Sequence, residues 1–508
     1  MDEGLYETKN PSIYRQLLEA ADQQGRLPPL FSPFVGTGGI RPVPGALDGI
    51  RVFHYVKPVV TQEVKQLGTL LQMVCQGETP ENMGRLLMFL NEHLVLYLID
   101  ALLGQIQSHE LEISARNLYD VGICLMTETD LPEAVKLGIS LIGILNIQRD
   151  AVCREILMTL GKCEEFTLYV LVVVAGWPYG NREIFRLAQE TRGWGKIHAV
   201  ERLAPDTEEI RQWMLCKGCE NEISEGYLGL TCAEGARLME QLARPRLDSE
   251  EFHGIGKILL GMLDEQLVPG ISAWEDGTQL LEAYLAREEH GETLENLMVV
   301  LKIRERLENA ELDPEDNCLS MRCEEIIEDP LWVPMVYETL ENGEGDALQY
   351  ACEAAEVLMI DMADLVLARM EKEPLEWAYL APHICKTPQM VYKLCNLYQE
   401  QLPCREMSRV TDAAGLGAYF HAFSALEWVL QGLGQFQGFG IGLIKTALAS
   451  AVIRTRNMAL NILESWGMRG KRIERMDTDL LRQLKALRHS QKGTDLGDRI
   501  AAILDTVP

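Results

Sequence analysis

Two cysteines three positions apart, Cys216 and Cys219, form the clearest pattern in the sequence that could support chemistry. A Cys-x-x-Cys pair can bind zinc through its thiolates or cycle between dithiol and disulfide. A structural zinc site needs a second pair, but the next cysteine, Cys232, is single, and the histidines His198 and His253 are isolated. The pair also straddles a predicted helix end, where a redox dithiol is not expected. We therefore interpret these cysteines as structural.

Three glycine-rich stretches, at 36–39, 432–438 and 438–442, could hold a phosphate group through backbone amides. None has the spacing of a nucleotide-binding motif after a strand. Arg41 stands at the third-glycine position of the first stretch and Leu443 at that of the last, and no Lys-Ser pair follows 432–438. The first stretch is the best candidate because a basic residue follows it directly. Its candidate cofactor-binding residues are Gly36, Gly38, Gly39 and Arg41. A plain turn is the interpretation that we favour there.

Patterns for metal chemistry and hydrolysis are equally sparse. His290 and Glu292 have the His-x-acid spacing of a non-haem iron site, but nothing marks a second histidine. We find no His-Glu-x-x-His motif, no Gly-x-Ser-x-Gly motif and no thiolate haem loop. The residues therefore indicate no metal site and no evident cofactor, and they identify no catalytic residue.

The composition limits the classes of partner. The net charge of -29, from 76 acids and 47 bases, argues against nucleic acid, which needs a basic face. The basic stretches 469–475 and 482–488 are interpreted as solvated helix faces. The longest uncharged runs, 166–181 and 428–444, are too short or too polar to span a membrane. With an acidic amino terminus that is no signal peptide and scattered cysteines, we expect a cytoplasmic protein with reduced thiols.

Most of the chain has the period of amphipathic helices separated by capping residues. At the centre, Ile197, Val200 and Leu203 fall on one helical face, as do Ile210 and Met214. Gly218 is predicted to end the second of these helices in a left-handed conformation. Predicted helix starts with capping residues are Thr79–Pro80, Asp130 with Glu133, Asp206 with Glu209, Asp248 with Glu251, and Thr387–Pro388.

The amino-terminal residues differ from the rest. A short helix is predicted over 13–21, and five prolines and four glycines within 27–45 exclude a regular helix there. Residues 50–56 alternate enough for a strand or an extended arm. At the other extreme of composition, 308–330 contains the most acidic run, which we interpret as a solvated connection or inserted loop.

Predicted helices of 10 to 20 residues recur in pairs about every 35 to 45 residues. Ala199–Leu203 and Ala459–Leu463 each place a small residue before an apolar face, and over 61–508 the chain resembles HEAT or armadillo-like proteins. We therefore expect an all-α, HEAT/armadillo-like helical-hairpin solenoid with a Pro/Gly-rich arm. The expected domains are the arm (1–60), a repeat array (61–307), the acidic connection (308–330) and a second array (331–508).

A second resemblance rests on the stretches 26–31, 39–43, 53–58, 194–203, and 218–233 in part. They are similar to a bacterial family of helical proteins, some members of which carry the name limonene hydroxylase. That name implies monoterpene hydroxylation and dehydrogenation of carveol or perillyl alcohol with a nicotinamide cofactor, NADH. It supplies no catalytic residue to carry over.

Two functions are therefore expected from the sequence. The first is an interaction scaffold that binds a protein or peptide on the concave face of the solenoid. The alternative is the oxidoreductase implied by the family name, with a small apolar ligand held near Trp194, Trp213 and the arm segment 31–34. An open groove would favour the scaffold, and a closed apolar cavity beside a phosphate-sized loop would favour the enzyme.

Overall fold

A computed structural model describes residues 11–23, 25–28, 31–32, 43–58, 60–77, 79–145, 147–148, 150–309, 314–411, 415, 420–467 and 470–504. Within them every regular element is a helix, which confirms the all-α class. None of these helices is both long enough and apolar enough to cross a lipid bilayer. The chain divides into two compact units, and the division runs through the helices α17 (Leu294–Asn309) and α18 (Pro314–Ile327).

Unit 1 comprises Met1–Glu289 and Lys302–Leu319. Its α-helices are α1 (Ile13–Ala20), α2 (Ala46–His54), α3 (Thr61–Gln76), α4 (Pro80–Glu92), α5 (Val95–Gln107), α6 (Ala115–Thr127), α7 (Pro132–Gly143), α8 (Ala151–Gly161), α9 (Glu164–Ala175), α10 (Gly180–Glu190), α11 (Trp194–Arg202), α12 (Glu208–Trp213), α13 (Gly229–Gly235), α14 (Leu238–Leu242), α15 (Ser249–Leu263) and α16 (Gly277–Leu285). A π-helical turn (Met214–Gly218) follows α12, and 3₁₀ turns occur at Glu225–Tyr227, Ile271–Ala273 and Glu289–Glu292. At its centre, α9 packs against α7, α8, α10 and α11.

Unit 2 comprises His290–Leu301 and Ser320–Pro508. Its α-helices are α19 (Trp332–Asn342), α20 (Gly345–Val357), α21 (Ala363–Lys372), α22 (Ala381–Ile384), α23 (Pro388–Gln401), α24 (Cys404–Met407), α25 (His421–Gln431), α26 (Ile441–Ala449), α27 (Ile453–Ser465), α28 (Gly470–Met476), α29 (Thr478–Ser490) and α30 (Asp495–Leu504), with a 3₁₀ turn at Ala378–Leu380. Helices that follow one another pack together: α19 on α20, α26 on α27, and α29 on α30.

Several predicted caps are confirmed. Thr79 and Thr387 each accept a backbone hydrogen bond at the start of a helix whose first residue is proline. Asp248 and Glu251 form the reciprocal capping box at the start of α15. The predicted helix at 13–21 is α1, capped by Ser12.

The predicted strand or extended arm at 50–56 is wrong, because residues 46–54 form α2. Contacts distant in sequence hold this helix in place. Gly45 has a left-handed φ of 78°, and its N–H donates to Glu165 Oε2 at 2.7 Å. Gly49 lies so close to the ring of Trp194 that any side chain there would overlap it. The alternation of apolar and polar residues over 50–56 does not reveal these distant contacts, so it could not predict the helix.

Three local predictions around caps are also wrong. Thr207, not Asp206, caps α12 through its hydroxyl. Glu133 takes no part in a capping box, because its carboxylate accepts from Val95 N–H instead. Gly218 ends a π-helical turn without a positive φ, and a side chain there would meet the thiol of Cys232.

The acidic stretch 308–330 contains α18 where a loop was predicted. Leu319, Cys323, Ile326 and Ile327 are buried at helical spacing. This apolar stripe stabilises a helix although charged residues surround it in sequence.

Candidate functional site

The two cysteines of the Cys-x-x-Cys pattern have different partners. The Cys216 thiol accepts a hydrogen bond from Gln212 Nε2 at 3.5 Å, and burial raises its pKa to about 11. Cys219 donates to the Glu225 carbonyl oxygen at 3.5 Å. A hydrogen bond with Cys232, together with burial, raises the pKa of Cys219 well above its ordinary value. Both thiols are therefore protonated at neutral pH, which disfavours nucleophilic chemistry.

The candidate phosphate-binding residues Gly36, Gly38, Gly39 and Arg41 lie outside the described residues. The later glycine-rich stretch is a turn, with φ of 91° at Gly438 and 66° at Gly440 immediately before α26. His290 is buried in the 3₁₀ turn that precedes α17, and the side chain of Glu292 is not among those described.

Trp194 and Trp213, expected beside an apolar ligand, pack against different neighbours. The ring of Trp194 lies 5.0 Å from that of Tyr227 and 6.0 Å from that of Phe53, measured between centroids. Trp213 packs edge-on against Phe185 at 5.3 Å and lies below the ammonium group of Lys196. Both tryptophan rings are therefore in contact with side chains of the protein itself.

A buried ionic cluster joins α2, α7 and α9. The ammonium group of Lys136 lies 2.7 Å from Asp48, 2.7 Å from Glu133 and 2.6 Å from Glu165, and its side chain is 1% exposed. Burial alone would lower the pKa of Lys136, but the three carboxylates raise it. Burial raises the pKa of Glu133, because desolvation disfavours the charged carboxylate; the charge of Lys136 opposes this rise and that of Asp48 adds to it. Tyr169 Oη donates to Asp48 Oδ2 at 3.1 Å.

The cluster fixes the position of α2, but sequence analysis missed it. Its members fall at 48, 133, 136 and 165, so only folding brings them together. The available signal was a lysine inside the apolar run of α7, where lysine is rarely buried without a partner.

His198 is a buried histidine whose two ring nitrogens have no hydrogen-bond partner. Its ring stacks on that of Phe53 at 6.0 Å, and Trp194 packs beside it. Burial, with a smaller effect of Arg202, lowers the pKa of His198 to about 3. The imidazole is therefore neutral at physiological pH.

Two open grooves lie on unit 2. The first, the Trp377 groove, encloses about 710 Å³ between the start of α20 and the segment after α21. Its lining residues are Glu344, Gly345, Gln349, Glu373, Pro374, Leu375, Glu376, Trp377 and Tyr379. Sequence analysis missed this groove, since Trp377 carries no motif.

The second groove, the Met359 groove, encloses about 610 Å³ between α20, α21 and α23. Its apolar lining residues are Ala355, Met359, Ile360, Met362, Ala363, Ile384 and Met390. Met359 is 91% exposed and has a left-handed φ of 53°. At the rim, Glu356 pairs with His383 and Lys386, each at 3.0 Å. Both grooves are open to solvent.

The fold defines an all-helical protein with solvent-open grooves on its second unit. No family model, curated protein or solved structure matches the chain. The resemblances to HEAT-type repeats and to the limonene hydroxylase family, and the NADH that the latter implies, therefore stay predictions.

Proposed function

We propose that the protein is an interaction scaffold that binds a protein or peptide segment on its helical surface. The observation that carries this proposal is Met359, a large apolar side chain exposed at the edge of an open groove. Methionine is flexible and polarisable, and it is common at surfaces that adapt to a partner. A non-glycine residue with positive φ is strained, and such strain clusters at functional positions.

The groove also has the composition of a binding surface. The exposed Met359 and the half-buried Ile360 present apolar atoms that a partner would desolvate, and the buried Met362 and Met390 also line the groove. The rim carries ion pairs such as Lys393 Nζ with Asp364 at 3.3 Å, which can exchange partners with an incoming chain. An open groove was the feature expected to favour a scaffold.

Selection of peptides from a random display library against the purified protein tests the proposal. We expect selected peptides to lose affinity at least about tenfold, or about 1.4 kcal/mol, for Met359→Asn. Asparagine tolerates the left-handed conformation, so this change removes the apolar side chain without adding strain. Met88→Asn, at an exposed methionine of α4, is the matched control. If no selected peptide distinguishes these variants, and none depends on the Trp377 groove, the proposal is wrong.

A further inference from the structure

The Trp377 groove combines an aromatic wall with several acidic side chains. Glu344, Glu373 and Glu376 are exposed, and the described residues that line the groove include no lysine or arginine. Trp377 and Tyr379 lie beside these acids, with ring centroids 6.2 Å apart. Aromatic rings attract cations through their negative faces, and carboxylates attract them through charge.

The Trp377 ring already binds a cation inside the protein. The Arg369 guanidinium group lies 4.5 Å from the ring centroid. Arg369 is held there because its Nη1 donates to the backbone carbonyl oxygens of Leu340 and Glu341 at 3.1 and 3.2 Å. This contact stacks a guanidinium group on Trp377 and braces the ring before any partner arrives.

The backbone of the groove is also braced. Tyr398, whose side chain is fully buried, donates its hydroxyl hydrogen to the Pro374 carbonyl oxygen at 2.5 Å. The backbone N–H of Trp377 donates to the Glu373 carbonyl oxygen at 3.2 Å. The acids and the aromatic rings are thus presented on a segment whose conformation is fixed, which lowers the entropy lost on binding.

From this geometry we infer that the Trp377 groove binds a basic peptide segment, with lysine or arginine side chains against Glu373, Glu376 and the aromatic wall. Leu375 and Pro374 provide an apolar surface for the aliphatic part of those side chains. The inference rests on the proposed scaffold function and specifies the chemistry of one partner.

The test uses a fluorescein-labelled peptide of three Arg-Lys-Leu repeats, titrated with the full chain and followed by anisotropy. A peptide with citrulline and acetyl-lysine at the basic positions is the neutral control. We expect the double variant Glu373→Gln/Glu376→Gln to weaken binding at least about tenfold, or about 1.4 kcal/mol. Binding should also weaken when salt rises from about 50 to 200 mM, because salt screens the charges.

A chain with net charge -29 attracts any basic peptide, so the control must remove the same charge elsewhere. Glu328→Gln/Glu338→Gln does this at two exposed acids outside the groove. We expect this control to change binding less than twofold. Equal weakening by both double variants would show only general attraction, and the inference would be wrong.

Trp377→Ala tests the aromatic wall, with Trp377→Phe as the conservative variant that restores part of the binding. Circular dichroism and thermal unfolding of Trp377→Ala show whether the released Arg369 disturbs the fold. If the alanine variant is misfolded, the comparison between Trp377→Phe and the glutamine pair decides. If neither Trp377→Phe nor Glu373→Gln/Glu376→Gln changes the affinity for the basic peptide, the inference is wrong.

Other occupants give different results. A concentration-dependent dimer that only Glu373→Gln/Glu376→Gln abolishes would show that a second copy occupies the groove, and would overturn the peptide assignment. If library peptides bind through Met359 but the basic peptide does not bind the Trp377 groove, this inference is wrong and the scaffold proposal stands. If neither library nor basic peptides bind, both proposals fail.

Discussion

Among the described residues, the cation that contacts Asp48, Glu133 and Glu165 is Lys136, and its positive charge holds these carboxylates together. Removing one partner from a buried ionic group leaves uncompensated charge, which costs about 3–5 kcal/mol. We therefore expect Lys136→Met to lower the free energy of unfolding by roughly that amount, measured by urea denaturation. Lys65→Met, at an exposed lysine of α3, is the control. Similar small losses for both variants would contradict the assigned role.

His198 makes stability depend on pH, because the folded protein resists its protonation. The unfolded chain takes up a proton at a pKa of about 6.5, but the folded His198 does so only near a pKa of about 3. The unfolded state therefore binds more protons between these values, and stability falls as pH drops below about 6.5. At pH 5 this difference in pKa lowers the free energy of unfolding by about 2 kcal/mol.

We expect His198→Phe to remove that cost, since Phe carries no titrating group and fits beside Phe53. The measurement is the free energy of unfolding at pH 7.5 and at pH 5. The decrease between the two should be about 2 kcal/mol smaller for His198→Phe than for the wild type. His489→Phe, at an exposed histidine of α29, is the control. Its free energy of unfolding should decrease between the two pH values by as much as that of the wild type. An unchanged decrease for His198→Phe would show that the imidazole titrates normally.

At the scale of elements, α2 depends on close approach to α11. Gly49→Ala places a methyl group against the ring of Trp194, and overpacking of this kind costs about 1–3 kcal/mol. We expect faster amide hydrogen exchange across Ala46–His54 in this variant. Gly84→Ala, inside α4 with no atom within 4 Å of the added methyl group, should instead stabilise by up to about 1 kcal/mol. Unchanged exchange in α2 would show that its position does not need Gly49.

Elements that local chemistry determines were predictable, and elements that distant contacts determine were not. Thr387 caps α23 through residues three apart, so the sequence alone showed it. In α2, by contrast, Asp48 meets Lys136, and Gly45 meets Glu165 120 positions away. The same distinction explains why the predicted capping box at Glu133 is wrong. Its carboxylate accepts a hydrogen bond from the distant Val95 N–H instead of from a local cap.

The grooves illustrate this limit for the candidate site. Periodicity assigned apolar residues of α20 and α23 to helices, but it could not show which surface two helices leave open between them. Met359 follows α20 in a left-handed conformation that no glycine or asparagine signals. Glu373 and Trp377 line one groove only because the turn after α21 places them opposite the start of α20. The sequence therefore predicted helices but not the surfaces that we propose to be functional.

At the scale of the whole molecule, negative charge far exceeds positive charge. With 76 acids, 47 bases and a net charge of -29, repulsion destabilises the compact state. Surface ion pairs such as Arg15 with Glu19 oppose this only weakly, since exposed pairs contribute about 0–1 kcal/mol each. Salt screens both effects, and the longer-range repulsion should dominate.

We therefore expect the unfolding temperature at pH 7.5 to rise as sodium chloride increases from about 20 to 300 mM, where the Debye length falls below about 10 Å. Sodium chloride is preferred to sulfate, because sulfate also strengthens apolar burial. A matched series at pH 5, near the isoelectric point of about 4.8, is the control, since little net charge remains to screen. A lower unfolding temperature in salt at pH 7.5 would mean that ion pairs outweigh repulsion. Exposed ion pairs such as Arg15 with Glu19 would then be the source of that stabilisation, because salt screens the buried pairs of Lys136 much less.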